Sequence, residues 1–274
     1  ASAKWGEARI FFAQERYEDT VNTLQILITD YSQSSYFAQA YFLQGLSQYR
    51  LGNYQAAADA WQAYLANRPG VLDAYTQELR GDALFQAGNY AEALAAYQAA
   101  IQAPALGDDI NIDIKVAATH TALLDYEAAL ALYDGIVPRA PNDYLKAQVA
   151  YESGLVYQAL GRSDEALGKF RLAVEDYPLS YYAYLSLLAL LEAGAEVDEL
   201  DRGLVDYFAG EYDVAISAFD RYLAANPVND GTAHYYRALA LRDKGDYNSA
   251  TTGLAVFISG YQTHPRWGDA WGEK

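Results

Sequence analysis

The chain has no cysteine, no methionine and only three histidines, His120, His234 and His264, in 274 residues. The first absence excludes disulfides, thiolate zinc sites and a cysteine nucleophile. The histidines lie far apart in sequence, which argues against a histidine-based metal site; no metal and no cofactor is expected. No apolar run reaches the roughly 20 residues that a membrane-spanning helix needs, the richest being residues 181–191. Positive charge is scarce as well, with 19 Lys and Arg against 36 Asp and Glu and a net charge of −17. Such a field repels nucleic-acid phosphates and anionic lipid surfaces, and it suits a basic partner. Nothing at Ala1 reads as a signal peptide, and without a Met even there the expectation is a chain that begins inside a longer product.

Catalytic motifs are missing too. There is no P-loop, Gly-x-Gly-x-x-Gly, His-Glu-x-x-His or nucleophile elbow, and the run 226–231 lacks calcium-loop spacing. The carboxylate pairs Asp108/Asp109 and Glu199/Asp201 read as solvated turn and helix-start residues, not as an acid and base tuned in a cleft. No enzyme is expected.

What the chain does have is a period. A small or polar pair is followed by an aromatic and, three residues on, by Ala: Gly52-Asn53-Tyr54 with Ala57, Gly88-Asn89-Tyr90 with Ala93, Leu124-Asp125-Tyr126 with Ala129, Gly210-Glu211-Tyr212 with Ala215, and Gly245-Asp246-Tyr247 with Ala250. Gly161-Arg162-Ser163 with Ala166 and Glu15-Arg16-Tyr17 with Thr20 are degenerate copies. The aromatic slots fall at 17, 54, 90, 126, 163, 212 and 247, so the spacings are 37, 36, 36, 37, 49 and 35. Four residues after each Ala slot stands a bulky residue: Leu24, Trp61, Tyr97, Tyr133, Phe170, Phe219 or Leu254. Tyr54, Ala57, Trp61, Tyr64 and Leu65 share one face of a helix. The Gly supplies the left-handed residue that ends the preceding helix, the Asn or Asp is placed to cap the next, and Pro69, Pro141, Pro178 and Pro227 close the second helix. Seven residues before the turn comes another small residue, Gly45, Gly81, Ala117, Gly154, Gly203 or Ala238. Because Gly inside a helix costs about 1 kcal/mol relative to Ala, its recurrence asks for a packing reason. Close approach of the partner helix against its Ala slot is the one expected.

In Gly45, Gly52, Tyr54, Ala57, Trp61 and Pro69 this pattern resembles the tetratricopeptide repeat, over about residues 1–264. The resemblance implies an all-α chain of helix hairpins stacked as an α-solenoid with a right-handed superhelix, acting as a non-catalytic scaffold. Such a scaffold holds a protein or peptide partner in a concave groove lined by the first helices. The groove positions map onto Tyr49, Phe85, Tyr151, Tyr207 and Tyr235, with Glu78, Asp82, Gln148, Gln158 and Arg242 between them. Aromatics at these places serve either ligand contact or packing between repeats. The family's chaperone-clamping subtype uses Lys, Arg and Asn there, which this chain mostly lacks.

The repeat divides the chain into residues 1–180 with repeats one to five, 196–264 with repeats six and seven, and 265–274 with the start of a further repeat that is cut short. The 49-residue gap holds an extra helix at 181–195, ended by Gly194 and apolar nearly all round, hence expected to be buried between repeats five and six. A milder alternative is that it is an ordinary first helix of a unit that lost its partner. Two lobes, 1–195 and 196–274, are expected, with 104–113 as an irregular connection turning at Gly107-Asp108-Asp109. Finally, Asp30-Tyr31-Ser32-Gln33-Ser34 and Asp176-Tyr177-Pro178-Leu179-Ser180 resemble phrases of bacterial soluble lytic transglycosylases. That resemblance implies an alternative, the helical scaffold of a larger cell-wall enzyme without its catalytic domain, extracytoplasmic and with a peptidoglycan-related partner. The family's Glu-Ser motif meets only Glu152-Ser153 inside a repeat helix, so no catalytic role passes to it.

Overall fold

Hydrophobic residues at helical spacing, broken every 15 to 20 residues or so by Gly, Pro or Asn, dictate short helices that return on themselves. The computed structural model describes residues 1–70, 72–104 and 110–274. Among these it has sixteen α-helices and a single 3-10 turn, Val137–Arg139. The chain divides into two units, Ala1–Ile136 and Val137–Lys274. The proposed turn at Gly107-Asp108-Asp109 lies outside the described residues.

The first unit is four antiparallel hairpins: α1 (Ser2–Ala13) with α2 (Tyr17–Asp30), α3 (Phe37–Arg50) with α4 (Tyr54–Asn67), α5 (Asp73–Gln86) with α6 (Tyr90–Gln102), and α7 (Ile110–Ala122) with α8 (Tyr126–Ile136). The second unit pairs α9 (Asp143–Ala159) with α10 (Ser163–Asp176), follows with α11 (Tyr181–Glu192), then pairs α12 (Glu199–Phe208) with α13 (Tyr212–Ala225) and α14 (Thr232–Lys244) with α15 (Tyr247–Gly260). It ends in α16 (Trp267–Glu273), packed on α15.

One backbone device joins the helices of every hairpin. The N–H of Asn53 donates to the carbonyl of Gln48 at 2.9 Å across Gly52, whose φ is +77. This six-residue closure caps the orphan carbonyls of the first helix. The same bond runs from Arg16 to Phe11, Asn89 to Leu84, Asp125 to His120, Arg162 to Tyr157, Glu211 to Asp206 and Asp246 to Leu241. Where the repeat is degenerate the left-handed position is filled without Gly, by Glu15 at φ +59 and Leu124 at φ +63. A branched L-residue there costs about 1–2 kcal/mol, and Leu124 is 69 % exposed, so its side chain returns little. Leu124→Gly is therefore expected to stabilise the protein by about 0.5–1 kcal/mol, read as a raised urea midpoint with an unchanged slope.

The Asn at the turn does not cap as its type suggests. The side chains of Asn53 and Asn89 accept no bond from the helices they precede, and their φ/ψ near −84/64 and −88/62 lie off the extended geometry that aims a capping side chain. Instead Asn53 Nδ2 donates to Gln48 Oε1 at 2.9 Å, and Asn89 Nδ2 bonds Gln55 in the preceding hairpin. Asp246 does cap, accepting from Ser249 N–H at 3.1 Å.

The recurring small residue also has a different neighbour from the one expected. It faces the bulky residue of the second helix, not the Ala slot. A Cβ added at Gly81 would lie 2.5 Å from Tyr97 Cε1, and one at Gly203 2.5 Å from Phe219 Cε1; Gly45 and Gly154 meet Trp61 and Phe170 in the same way. The aromatic ring occupies the space that a side chain would need, so Gly here makes room for a ring. In the last hairpin the pair is exchanged. Ala238 stands on the first helix, and Gly253 on the second is where a Cβ would come 3.0 Å from it.

α11 carries the same C-terminal closure as a first helix, Ala195 N–H to Leu190 carbonyl at 2.9 Å across Gly194, but no second helix follows. It buries Ala183, Leu187 and Leu190 in one core with Phe170 of α10 and Val205 of α12. That shared core is why the second unit is not divided at 195/196, where the inserted helix suggested a boundary. Nor is α11 buried all round: Tyr181, Leu188 and Leu191 are exposed.

Candidate ligand grooves on the first helices

The small residue of each first helix sits against its own partner helix, and residues three before it, one after and four after form a stripe beside it, turned about 40–100° around the helix. In α1, taking Ala8 as the small residue, these are Trp5, Arg9 and Phe12; in α3, Phe42, Leu46 and Tyr49. The structure gathers Trp5, Phe12, Phe42 and Leu46, with Tyr64 from the end of α4, into an open apolar groove of about 570 Å³. Trp5 stacks on Tyr36 at 5.6 Å, and Phe42 meets Tyr64 edge-on at 5.2 Å, which fixes the rings. Arg9, Arg68 and Gln39 complete the lining, and the Gln39 amide oxygen has no hydrogen-bond partner.

Sequence reasoning placed none of these residues in a groove. The signal was there in the register, but Glu15 and Thr20 replace Gly and Ala in the first copy and obscure it.

A second, smaller pocket of about 200 Å³ lies among α3, α5 and α7. It unites four residues picked from the sequence. Tyr49, Asp82 and Phe85 line it, and Glu78 stands one turn before Asp82. At its centre is a residue that was not picked, Lys115, whose Nζ lies 2.6 Å from Glu78 Oε1 and 2.8 Å from the Asp82 carboxylate. Tyr97 OH donates to Asp82 at 2.8 Å. Burial alone would lower the pKa of Lys115, but its hydrogen bonds to Asp82 and Glu78 outweigh that and hold it above the ordinary 10.5. Burial, then the Asp82 charge, keeps the Tyr97 hydroxyl protonated well above the usual tyrosine value. The cluster thus ties α5 to both α6 and α7. Tyr49 and Phe85 are partly committed to packing, against Tyr54 and Tyr90 at 5.2 Å each.

In the second unit Tyr151 on α9 is half-buried, 5.9 Å from the rings of both Phe170 and Tyr182, and Gln158 is exposed at the end of the same helix. Burial, then the neighbouring Tyr144, pushes Tyr182 up to about 12. Tyr207 of α12 and Arg242 of α14 are brought together by a residue not picked from sequence, Asp243. It accepts from Tyr207 OH at 3.0 Å and from Arg242 Nε at 2.7 Å. Arg242 also pairs with Glu273 of α16. Tyr235 is not on this surface. It is 4 % exposed, packed on Phe257 at 5.2 Å in the core that Ala270 of α16 closes. Its neighbour Tyr236 faces Tyr207 instead, at 5.5 Å.

The two phrases that carry the resemblance to lytic transglycosylases form one and the same hairpin-to-hairpin turn. Ser34 N–H bonds Tyr31 carbonyl at 2.9 Å and Ser180 N–H bonds Tyr177 carbonyl at 3.0 Å, and residues 261–264 repeat it with His264 to Tyr261. Turn formation accounts for the shared letters. Ser153 of the Glu152-Ser153 pair is buried, and its hydroxyl has no hydrogen-bond partner.

Comparison with known proteins agrees with the hairpin pattern. A tetratricopeptide repeat model matches residues 6–71, 42–108 and 200–252, and a second model of that repeat matches 148–180. No curated protein matches the chain. Among solved structures, the C-terminal part of a TPR repeat-containing protein from Cytophaga hutchinsonii is similar at a TM-score of 0.52 and 15 % identity, over 96 % of this chain and 98 % of that one. MamA is similar at 0.51 and 15 % identity, over 61 % and 92 %. The apo form of the quorum sensor NprR from B. thuringiensis is similar at 0.50 and 16 % identity, over 92 % and 73 %. At such identities the likeness is one of fold.

Proposed function

Because this chain belongs to the tetratricopeptide repeat family, we propose that it is a non-catalytic scaffold holding a protein or peptide partner against its first helices. The observation that carries this reading is the groove of about 570 Å³ whose aromatic walls come from corresponding positions of α1 and α3. An open, largely preformed apolar surface with a few polar groups is what a peptide needs to bury its anchors without reordering its host. On this reading Trp5, Phe12 and Phe42 are the anchoring walls. Tyr49, Asp82 and Phe85, with Glu78 behind them, continue the surface along α3 and α5 as a rigid polar floor, because Lys115 and Tyr97 already occupy the two carboxylates. In the second unit Tyr151, Gln158, Tyr207 and Arg242 offer contacts of the same kind.

The test is selection of peptides from a displayed random library, followed by Trp5→Ala. Loss of a ring that contributes a groove wall should weaken the selected peptides by about tenfold or more, while the melting temperature, recorded alongside, reports any loss of fold. Selected peptides that bind Trp5→Ala, Phe12→Ala and the parent protein equally would place recognition elsewhere.

A further inference from the structure

We infer that the groove between α1 and α3 takes an acidic partner: a peptide segment whose bulky apolar side chains enter among Trp5, Phe42 and Tyr64 while flanking Asp or Glu carboxylates meet Arg9 and Arg68. The inference rests on the groove reading above and names the chemistry of its ligand, against the basic partner that net charge alone suggests.

Acidic side chains outnumber basic ones, 36 to 19, so most cations here find a carboxylate. Arg16, Lys115, Arg162, Arg221, Arg237, Arg242 and Lys244 all have carboxylate partners. The side chains of Arg9 and Arg68 have neither hydrogen bond nor ion pair among the described residues, and, unlike Arg50, Arg80 and Arg171, which also lack a carboxylate, they line one groove together. Among the described residues no Asp or Glu lines it. Two free guanidinium groups beside a wall of aromatic rings form a local positive site in a negative chain. Guanidinium is weakly hydrated and presents a planar fork of donors that matches a carboxylate.

Range decides between the local and the global field. At physiological ionic strength the Debye length is about 8 Å, so the net −17 is largely screened at the groove, whereas a carboxylate in contact with Arg9 or Arg68 is not. A lysine- or arginine-bearing segment would instead set like charges against each other at the rim.

Fluorescein-labelled peptides of a single apolar sequence, flanked in turn by glutamate, glutamine and lysine, test this at about 0.15 M salt. The expected order is glutamate, glutamine, lysine, with about tenfold between the first two, and Arg9→Glu/Arg68→Glu reverses it without lowering the melting temperature. Equal binding of all three peptides, or tightest binding by the lysine form, overturns the acidic preference and leaves the groove reading standing. Failure of every peptide to bind, with those selected from the library failing too, removes the groove reading and this inference with it.

Discussion

Gly81→Val is expected to cost the protein about 3 kcal/mol, at the upper end of what overpacking a close-packed site costs. The new side chain would begin 2.5 Å from the Tyr97 ring, a distance that real Cβ atoms do not tolerate. Tyr97 cannot simply swing away. Its ring is buried in the core of α5, α6 and their neighbours, and its hydroxyl is bonded to Asp82. Displacing it loses packing and a hydrogen bond together, so the two costs fall on one substitution. Gly135→Ala is the contrast in the same unit. An added Cβ there meets nothing within 4 Å, and the change should be neutral or stabilise by up to about 1 kcal/mol. Paired urea melts of the two variants separate a packing role for the recurring small residue from mere tolerance of Gly. Equal and small effects would show that the ring-over-glycine contact contributes little.

Lys115→Met should be almost as damaging, at about 2–3 kcal/mol. Methionine replaces the packing of the stem but leaves Glu78 and Asp82 facing each other without their cation. Removing one partner of a largely desolvated charge cluster costs more than the cluster contributes, because the remaining charges stay behind. About a fifth to a third of each side chain remains exposed, which is why the figure sits below that for full burial. Adding Glu78→Gln and Asp82→Asn to Lys115→Met should recover most of the loss, since Asn keeps an acceptor for Tyr97 OH. The pH dependence has a definite sign. The folded pKa of Lys115 is raised, so its contribution is complete below the unfolded value of 10.5 and is lost as the pH rises beyond it. The gap between parent and Lys115→Met is therefore expected to stay flat through neutral pH and to close as the pH rises above about 10.5. A gap that stays open well above about pH 10.5 would mean that the lysine's charge does not carry the interaction.

The hairpins were legible because each rests on local chemistry that repeats. Gly in the left-handed position, an aromatic two residues on and Ala three beyond that state a turn and a buried helix face without reference to the rest of the chain. What local chemistry could not state is what each small residue faces. Gly45 and Trp61 are sixteen residues apart, and only the hairpin shows that the ring, not Ala57, lies over the glycine.

The candidate site was half legible for a similar reason. Register alone picked out Tyr49, Glu78, Asp82 and Phe85. Lys115 was missed because its partners lie 33 and 37 residues away, about one repeat back. A cation one period after two carboxylates one helical turn apart is the signal that would have found it. Tyr235 has the register of a groove residue but is covered, since α16 closes the core around it. Net charge, a sum over 274 residues, does not show that Arg9 and Arg68 stand together at one groove.

The central claim is that partners bind on the first helices. The measurement that tests it most directly is backbone amide exchange of the protein with and without a selected peptide. Slowed exchange concentrated in α1 and α3, and at the end of α4 around Arg68, is the predicted result. Protection confined to α2 and α6, with α1 and α3 unchanged, would contradict it.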